Sequence, residues 1–440
     1  MNPIVIIGAG ITGCVIAHEL TRRGYKVILV EKEDRIGGLA KTFQYGDFSF
    51  DIGPHRFFTH KQQIYNFIKN ILKDDYTIMS RQSEVYFLGK YHSWPLRPTV
   101  LFNLPLTTTL KSAWDLFMMS FNNEKKEIDT FEDYVLINYG PSLYNIFFKD
   151  YTQKFLGLSP KEVHYEWAKE GMKRTIIDER IASRNLFDVL KLFLNFKPPK
   201  TKFIYPTEGI GVFCKRLVDK IRVSGGEILL NSVITHIRYC PGKIEEIFLK
   251  NISIKPEMVI WTGSLGVICN LLKFPWDGLG YLSLLLFNIE MNKPMNKKYQ
   301  WCYYGSKDII FSRVTIPSSF SKNMAPEHKT GFCVEVTCRE GDQQWRNPEL
   351  LSERVKKDLI KVGLIDRIED IGNIYIEKIR DAYPIYTRNY TRHLRNVKEN
   401  LSKFQNLILA GRTGLFRYNN MDNSIENGLE VTRNIIQWIE

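Results

Sequence analysis

Apolar and polar residues follow two different rhythms over the first 31 positions. An apolar run, IVII at positions 4–7, leads into three glycines within six residues. The next stretch, CVIAHELTRRG, repeats apolar residues every three to four positions, which is the period of a helix. A second apolar run, VILV, ends at the acid Glu31. The pattern therefore predicts a buried strand, a tight turn, a helix and a second buried strand.

Patterning along the rest of the chain predicts further helices and strands. Residues 61–75 follow the pattern of an amphipathic helix, and residues 104–200 carry several helical apolar stripes. Residues 280–340 alternate apolar and polar positions, which predicts an antiparallel sheet. The runs MVIWTG and NLILAG are typical of buried strands, and NSIENGLEVTRNIIQWI predicts a closing helix.

The glycine spacing of the opening turn, G-x-G-x-x-G, has a backbone explanation at each position. Gly8 permits the tight turn, Gly10 lets the backbone approach a pyrophosphate, and Gly13 lets helix and strand pack closely. The helix that follows offers amide N–H groups and its positive dipole end to phosphates. Glu31 comes 18 residues after Gly13, where a carboxylate accepts hydrogen bonds from ribose hydroxyls. The unit predicts dinucleotide binding.

A second glycine pair indicates which dinucleotide is bound. From Glu31 the chain continues EKEDRIGGLAKT, which resembles the flavoprotein extension of this fingerprint, an acid followed by R-x-G-G-x-x-x-T/S. The matching positions are Arg35, Gly37, Gly38 and Thr42. Paired glycines let a second backbone segment reach the pyrophosphate of FAD, and a protein that uses NAD alone does not need that segment. The predicted cofactor is therefore FAD, and no metal is expected.

Together these elements predict an α/β fold built around a discontinuous Rossmann-like FAD-binding domain. Its three segments would be residues 1–80, 201–270 and 393–440. An inserted helical domain would occupy residues 81–200, and an antiparallel-sheet substrate domain would occupy residues 271–392. Two or three structural units are what a chain of 440 residues is expected to form.

Composition and charge narrow the classes of function. The chain is 44% hydrophobic and 25% charged, which is typical of a globular protein. The formal net charge of +13 comes from scattered residues, so we expect an anionic small molecule rather than nucleic acid as the partner. The sequence contains no apolar run of about 18 residues, so a transmembrane segment is not expected. It also has no basic leader, so a signal peptide is not expected. Seven cysteines without a CxxC pair argue against a disulfide framework or zinc site and favour a cytoplasmic location.

Several longer motifs occur along nearly the whole chain. In order, they are DIGPHRFFTH, YGPSLYNIFFKDYTQKFLGLSPKEV, MVIWTGSLGVICNLL, DIIFSRVTIPSSFS, DAYPIYTR and AGRTGLFRYNNMDNSI. Together they resemble the UDP-galactopyranose mutase family, within the wider amine-oxidase and protoporphyrinogen-oxidase-like FAD superfamily. The chain departs from the family after YTxK, where the family carries a Trp and this chain has Phe155 and Leu156. It also departs at Phe416 and Asn420, where bacterial mutases carry Tyr and Asp.

The resemblance implies five catalytic residues. His55, in GPHRFF, would lie against the flavin ring, and its charge would be tuned across physiological pH. Arg313 and Arg412 match arginines that clamp the substrate diphosphate, for which a guanidinium fork is well suited. Tyr383 and Tyr418 match tyrosines near the diphosphate and sugar. The predicted substrate is therefore an anionic nucleoside-diphosphate sugar.

Further contacts are also implied by the resemblance. Tyr151 and Arg174 would bind substrate, with Arg180 and Arg184 as alternatives to Arg174 in a loop that closes over it. Asp422 would either meet the flavin or cap the closing helix. The complete predicted FAD-binding set is Gly8, Gly10, Ile11, Thr12, Gly13, Glu31, Lys32, Gly38, Leu39, His55, Val233, Gly263, Gly411, Arg412, Met421, Asp422 and Ser424.

Two reactions remain open from the sequence. The first is a mutase that uses reduced FAD to interconvert pyranose and furanose forms of a nucleotide sugar for cell-surface glycan synthesis, with no net redox change. The second is an FAD-dependent oxidoreductase, an oxidase or desaturase that passes hydride to the flavin. Arginines and tyrosines beside the flavin would favour the mutase, whereas an apolar pocket would favour the oxidoreductase. Assembly into a homo-oligomer also stays open.

Overall fold

The computed structural model describes residues 2–94, 106–121, 127–175, 201–295, 297 and 299–440. The strands, in chain order, are β1 (Ile4–Ile7), β2 (Val27–Val30), β3 (Thr42–Tyr45), β4 (Phe48–Asp51), β5 (Tyr76–Ser80), β6 (Ser83–Phe87), β7 (Lys90–Trp94), β8 (Lys202–Pro206), β9 (Glu227–Leu229), β10 (Ile234–Cys240), β11 (Lys243–Leu249), β12 (Ser253–Ile254), β13 (Met258–Trp261), β14 (Tyr281–Met291), β15 (Trp301–Tyr304), β16 (Arg313–Thr315), β17 (Thr330–Cys338), β18 (Ile371–Pro384) and β19 (Leu407–Leu409).

The α-helices are Ile11–Thr21, Gln62–Leu72, Leu106–Phe121, Phe131–Leu143, Lys149–Leu156, Tyr165–Thr175, Val212–Val223, Leu265–Leu271, Gln343–Arg346, Ser352–Lys361, Tyr390–Leu401, Gly411–Gly414 and Met421–Ile439. A π-helical turn, Tyr144–Phe148, joins two of them. The 3-10 turns are Gly38–Ala40, Pro317–Ser319, Lys322–Met324, Pro348–Leu351 and Ile368–Asp370.

A five-stranded parallel sheet forms the base of the fold. Its strand order is β19-β13-β1-β2-β9, and every neighbouring pair runs parallel. Ile4 and Ile6 of β1 pack with the core that includes helices Ile11–Thr21, Val212–Val223 and Met421–Ile439. Val5 and Ile7 belong to the core on the opposite face. Because both faces are covered, the three central strands β1, β2 and β13 are continuously apolar rather than alternating.

Distant parts of the chain build this one sheet. Strands β1 and β2 come from the first 30 residues, β9 and β13 from residues 227–261, and β19 from residues 407–409. The mixed α/β class predicted from the sequence is confirmed by this parallel sheet and the separate sheets beside it. The boundaries of the predicted domain segments stay a prediction.

A seven-stranded sheet carries much of the remaining core, in the order β18-β14-β17-β16-β15-β6-β7. It is antiparallel except for the parallel pair β6 and β15. The strands from residues 280–340 pair antiparallel with one another, so the prediction for that range is confirmed. Strand β14 is buried along nearly its whole length. Leu284 and Leu286 enter one core while Leu285 and Phe287 enter another, because both faces of the strand are covered.

Residues 83–94, inside the range expected to be helical, instead form the hairpin of β6 and β7. Leu88 and Gly89 make the connecting turn with positive φ angles of 49° and 75°. Such a two-residue turn suits the twist of a hairpin, and SEVYF before it has the alternation of a strand. The helical prediction was wrong for these residues, because the apolar stripes that support it begin at residue 104 and the predicted domain was drawn from residue 81.

Two further observations concern the chain as a whole. All seven cysteines have free thiols, and six of them are buried. None of the helices in the described ranges combines the length and apolar character needed to cross a bilayer.

Candidate functional site

A cavity of about 1290 Å³ opens at the carboxyl ends of β1, β2 and β13. Small-molecule sites usually have volumes of roughly 300–1,000 Å³, so this cavity can hold a dinucleotide together with a second molecule. It lies where the chain order reverses, because β1 has β2 on one side and β13 on the other. Ligands of open α/β sheets bind at such a crevice.

The three glycines of the opening turn have different surroundings. Gly8 has φ +101°, and a Cβ there would lie 2.5 Å from the Thr262 hydroxyl oxygen. A Cβ at Gly13 would lie 2.0 Å from the carbonyl oxygen of Gly8, so this glycine allows the helix to pack against the turn. A Cβ at Gly10 would meet no protein atom within 4 Å, and Gly10 lines the cavity. Gly10 thus leaves space for a ligand.

The second glycine pair packs directly on the first turn. The Gly37 N–H donates to the Ala9 carbonyl at 2.8 Å, and Gly10 and Gly37 form a parallel β-bridge. Gly38 has φ +56°, and a Cβ there would lie 3.2 Å from the Gly10 Cα. Two backbone segments therefore meet at one wall of the cavity, as the FAD extension predicts.

Glu31 is held at the end of β2 beside this wall. One carboxylate oxygen accepts a hydrogen bond from the Ala9 N–H at 2.8 Å, and the other accepts from the Glu33 N–H at 3.1 Å. The residue is buried, yet it lines the cavity. Since each carboxylate oxygen has a second lone pair, the group can still accept hydrogen bonds from a ribose diol.

The C-terminal part of the chain supplies further residues that line the cavity. Gly411 has φ +77°, and a Cβ there would lie 3.3 Å from the Thr12 Cβ. The helix Met421–Ile439 begins at the cavity, where its N-terminal dipole favours an electronegative group. Its N-cap is Asn420, so the alternative interpretation of Asp422 as the cap is wrong. Asp422 lies in the first turn and lines the cavity.

The structure brings the predicted FAD-binding residues together, although they are spread over the sequence. Gly13 supports the turn from behind. The other members line the cavity, including Ile11, Thr12, Lys32, Leu39, Val233, Gly263, Met421 and Ser424. The open space at Gly10, the two glycine segments and the placed carboxylate of Glu31 together fit FAD.

His55 lies in the cavity wall beside the cationic groups. Burial lowers its pKa to about 3, with the charges of Arg313, Arg412 and Arg56 acting in the same direction. The expectation that this histidine titrates across physiological pH is therefore corrected. Desolvation and three neighbouring cations disfavour the imidazolium ion, so His55 is neutral at pH 7.

Arg313 forms a bidentate ion pair with Glu335, a residue that sequence reasoning missed. Arg313 Nη2 donates to Glu335 Oε2 at 2.6 Å, and Nε donates to the other oxygen. Nη2 also donates to the Tyr383 hydroxyl at 3.2 Å. Burial alone would lower the pKa of Arg313, but the Glu335 carboxylate raises it. The guanidinium is rigidly oriented, and its charge is largely balanced.

Arg412 is held mainly by carbonyls and aromatic rings. Its Nη1 donates to the Asn419 carbonyl at 2.8 Å, and its Nη2 donates to the Ala382 carbonyl at 2.7 Å. The guanidinium carbon lies 5.0 Å from the Tyr383 ring centroid and 4.9 Å from that of Tyr418. These contacts fix the side chain where it lines the cavity.

Tyr151 and Arg174 are the remaining predicted substrate residues. Tyr151 lies behind the cavity wall, with its ring centroid 6.5 Å from that of Tyr303, and burial raises its pKa. The backbone of Arg174 lies in the helix Tyr165–Thr175. Its alternatives Arg180 and Arg184 lie outside the described residues.

Sequence reasoning also missed cationic and aromatic residues of the cavity. Arg56 was part of the quoted GPHRFF but received no role, and Arg81, Trp301 and Tyr303 had no motif around them. Arg56, Arg81 and Tyr303 line the cavity, and the Trp301 ring lies beside both arginines. The net charge of +13 was the signal in the sequence that cationic residues besides Arg313 and Arg412 could line the site.

Comparison with known proteins gives concordant results. The chain matches the family described as flavin containing amine oxidoreductase over residues 11–436. It is 24% identical to the UDP-galactopyranose mutase of Mycoplasma genitalium over 433 residues, which cover 96% of this chain and 92% of that protein. Over 166 residues it is 30% identical to a probable UDP-galactopyranose mutase of Klebsiella pneumoniae, which covers 36% of this chain and only 42% of that protein.

One solved structure shares nearly the whole architecture. Reduced UDP-galactopyranose mutase superimposes with a TM-score of 0.83 at 21% identity, covering 100% of this chain and 96% of that chain. At this level of identity the superposition confirms the fold, and the reaction must be argued from the residues of the site.

Proposed function

Because the chain belongs to the flavin containing amine oxidoreductase family and uses FAD, we propose that it is a mutase of the UDP-galactopyranose mutase kind. It would interconvert pyranose and furanose forms of a nucleoside-diphosphate sugar for glycan synthesis. The observation that carries this proposal is the wall around His55, which presents Arg313, Arg412, Tyr383 and Tyr418. Such a wall suits an anionic substrate better than an apolar one.

Both arginines would bind the diphosphate through oriented guanidinium groups. Arg412 donates hydrogen bonds to the carbonyl oxygens of Asn419 and Ala382, and these contacts hold its guanidinium in the cavity wall. Arg313 is balanced by Glu335, so it would act through orientation more than through net charge. Tyr383 and Tyr418 flank Arg412 and offer hydroxyl groups to phosphate or sugar oxygens.

The neutral state of His55 has a chemical consequence. A neutral imidazole can donate one hydrogen bond and accept another, and it adds no charge beside a flavin. Reduced FAD, when bound, supplies the electron-rich nitrogen for the reaction. The residues of the chain orient the sugar next to that nitrogen and limit access of water. His55 would position the reacting groups without changing its own protonation.

Turnover under controlled flavin redox state tests the proposal. Dithionite-reduced holoenzyme should interconvert UDP-galactose and its furanose form, followed by anion-exchange chromatography, with no net change in flavin oxidation. Oxidised enzyme should be inactive. The variant Arg412→Lys should lose most activity because a lysine cannot maintain the two carbonyl contacts and the stacking. Arg433→Lys, at an exposed position of the closing helix, is the charge-matched control and should keep it.

The second candidate is an FAD-dependent oxidoreductase, which the family match over residues 11–436 favours. Turnover by oxidised enzyme, with peroxide or a reduced acceptor formed in proportion to product, would reject the mutase and support this class.

We also propose a cytoplasmic location. Free thiols at all seven cysteines suit a reducing compartment. Fractionation of the producing cells tests the location.

A further inference from the structure

Two arginines that the catalytic proposal does not use lie close to the ring of one tryptophan. The guanidinium carbon of Arg56 is 4.5 Å from the Trp301 ring centroid, and that of Arg81 is 5.3 Å from it. Arg56 belongs to the segment after β4, Arg81 lies two residues before the start of β6, and Trp301 begins β15. Both arginines line the cavity. Three distant segments therefore converge to place two cations on one wall.

Neither arginine forms an ion pair within the part of the chain that the structure describes. Arg56 Nη1 donates to the Pro54 carbonyl at 3.2 Å, and Arg81 Nε donates to the Ser83 hydroxyl at 2.9 Å. Arg56 Nε and Arg81 Nη2 are buried without a hydrogen-bond partner among the described residues. This differs from Arg313, whose charge is balanced by Glu335.

Such an arrangement is unfavourable unless an anion completes it. Buried charges are normally paired, and buried N–H groups normally have an acceptor. Burial and the nearby charge of Arg81 lower the pKa of Arg56 to about 9, which still leaves it protonated at pH 7. The face of Trp301 stabilises both cations but offers no acceptor for their N–H groups. An oxyanion that enters through the cavity would supply the negative charge that the described residues do not provide here.

The position of the pair indicates which part of a substrate carries this oxyanion. Arg56 follows directly after His55, and both residues line the cavity. Under the proposed function, His55 lies where the sugar reacts, while Arg313 and Arg412 bind the diphosphate. An anion at Arg56 and Arg81 is then additional to the diphosphate and lies on the side of the sugar.

We propose that Arg56 and Arg81 form a second anion-binding subsite, which binds a carboxylate on the sugar of the substrate. The inference rests on the proposed function and narrows it, because the preferred substrate would be a nucleoside-diphosphate hexuronic acid, with a neutral hexose bound more weakly. A planar carboxylate can accept bidentate hydrogen bonds from one guanidinium and a further bond from the other.

Binding to the oxidised holoenzyme tests the subsite. UDP, UDP-galactose and UDP-galacturonic acid are titrated at fixed salt, and the quenching of flavin fluorescence is followed. Wild-type protein should bind UDP-galacturonic acid roughly ten- to hundredfold more tightly than UDP-galactose, the range expected for one charge-assisted contact. Arg81→Gln and Arg56→Gln should remove this preference and leave the affinity for UDP-galactose within about twofold, since no neutral ligand uses the pair. Arg433→Gln should leave all three affinities unchanged.

Three other binding results distinguish failure of the subsite from failure of the proposed function. Equal wild-type affinities for the two sugars would overturn the subsite and leave the mutase proposal intact. If both variants lost affinity equally for UDP, UDP-galactose and UDP-galacturonic acid, the subsite would also be overturned, because the pair would then bind the diphosphate. Failure of all three ligands to bind would contradict the proposed function itself. The wild-type comparison needs no variant, so loss of FAD from Arg81→Gln would not prevent the decision.

Discussion

The ion pair between Arg313 and Glu335 allows a quantitative test of the active-site wall. Glu335 is 1% exposed, and both of its carboxylate oxygens accept hydrogen bonds from Arg313. The strands align these two residues directly, because Arg313 of β16 is the register partner of Glu335 in β17. Arg313→Ala would leave a buried carboxylate with neither its counter-charge nor its two donors.

The expected cost follows from this burial. Breaking a buried ion pair by removing one partner costs about 3–5 kcal/mol. Replacing both partners by apolar residues of similar volume is often neutral, since neither charge then has to be desolvated. We therefore expect Arg313→Ala to lower the free energy of unfolding by about 3–5 kcal/mol and Arg313→Met/Glu335→Leu by about 1 kcal/mol or less.

Urea denaturation of the holoenzyme measures both values, with flavin fluorescence and far-ultraviolet circular dichroism as independent probes. Coincident transitions are required before a free energy is extracted. Arg388→Ala is the control, because its pair with Asp129 is exposed and should be worth less than about 1 kcal/mol. A loss below about 1 kcal/mol for Arg313→Ala, or a double variant that loses at least as much as the single one, would refute the reasoning.

Three further predictions concern the cofactor site and His55. Gly10→Leu should keep the native circular dichroism but lose FAD, because the leucine side chain enters open cavity space. Gly13→Ala should fail to fold, because the alanine Cβ would lie 2.0 Å from the Gly8 carbonyl oxygen. Normal flavin content in Gly10→Leu would contradict this prediction. The pKa of His55 is about 3 in the fold and about 6.5 in an unfolded chain. The unfolded state thus binds more protons between these values, and stability should fall by up to about 1.4 kcal/mol per pH unit below pH 6.5. His55→Gln should remove this part of the slope, and an unchanged pH profile of unfolding would oppose the assignment. Removal of FAD should lower the thermal midpoint of unfolding. With free FAD at 100 times its Kd, the holoenzyme should be more stable than the apoprotein by about 2.7 kcal/mol. Equal midpoints for apoprotein and holoenzyme would count against FAD binding to the native state.

The cofactor half of the site was predictable because its determinants are local. Gly8, Gly10, Gly13 and Glu31 lie within one strand–turn–helix–strand unit, where each backbone requirement selects a residue type at a fixed spacing. The opening strands were equally clear, since a parallel strand buried on both faces needs a continuous apolar run. The hairpin at residues 83–94 was missed because its turn, Leu88 and Gly89, lacks the usual Asn-Gly or Asp-Gly signal.

The sequence by itself determined an FAD-binding α/β fold with a cationic, tyrosine-bearing site. Only the tertiary structure decided which cations are balanced and which are not. Register between β16 and β17 gives Arg313 its carboxylate, whereas the meeting of three distant segments places Arg56 and Arg81 beside Trp301 without an ion pair among the described residues. Burial among these charges likewise keeps His55 neutral. Charge state depends on desolvation and on neighbours a few ångströms away, and neither quantity is encoded in the spacing of residues along the chain.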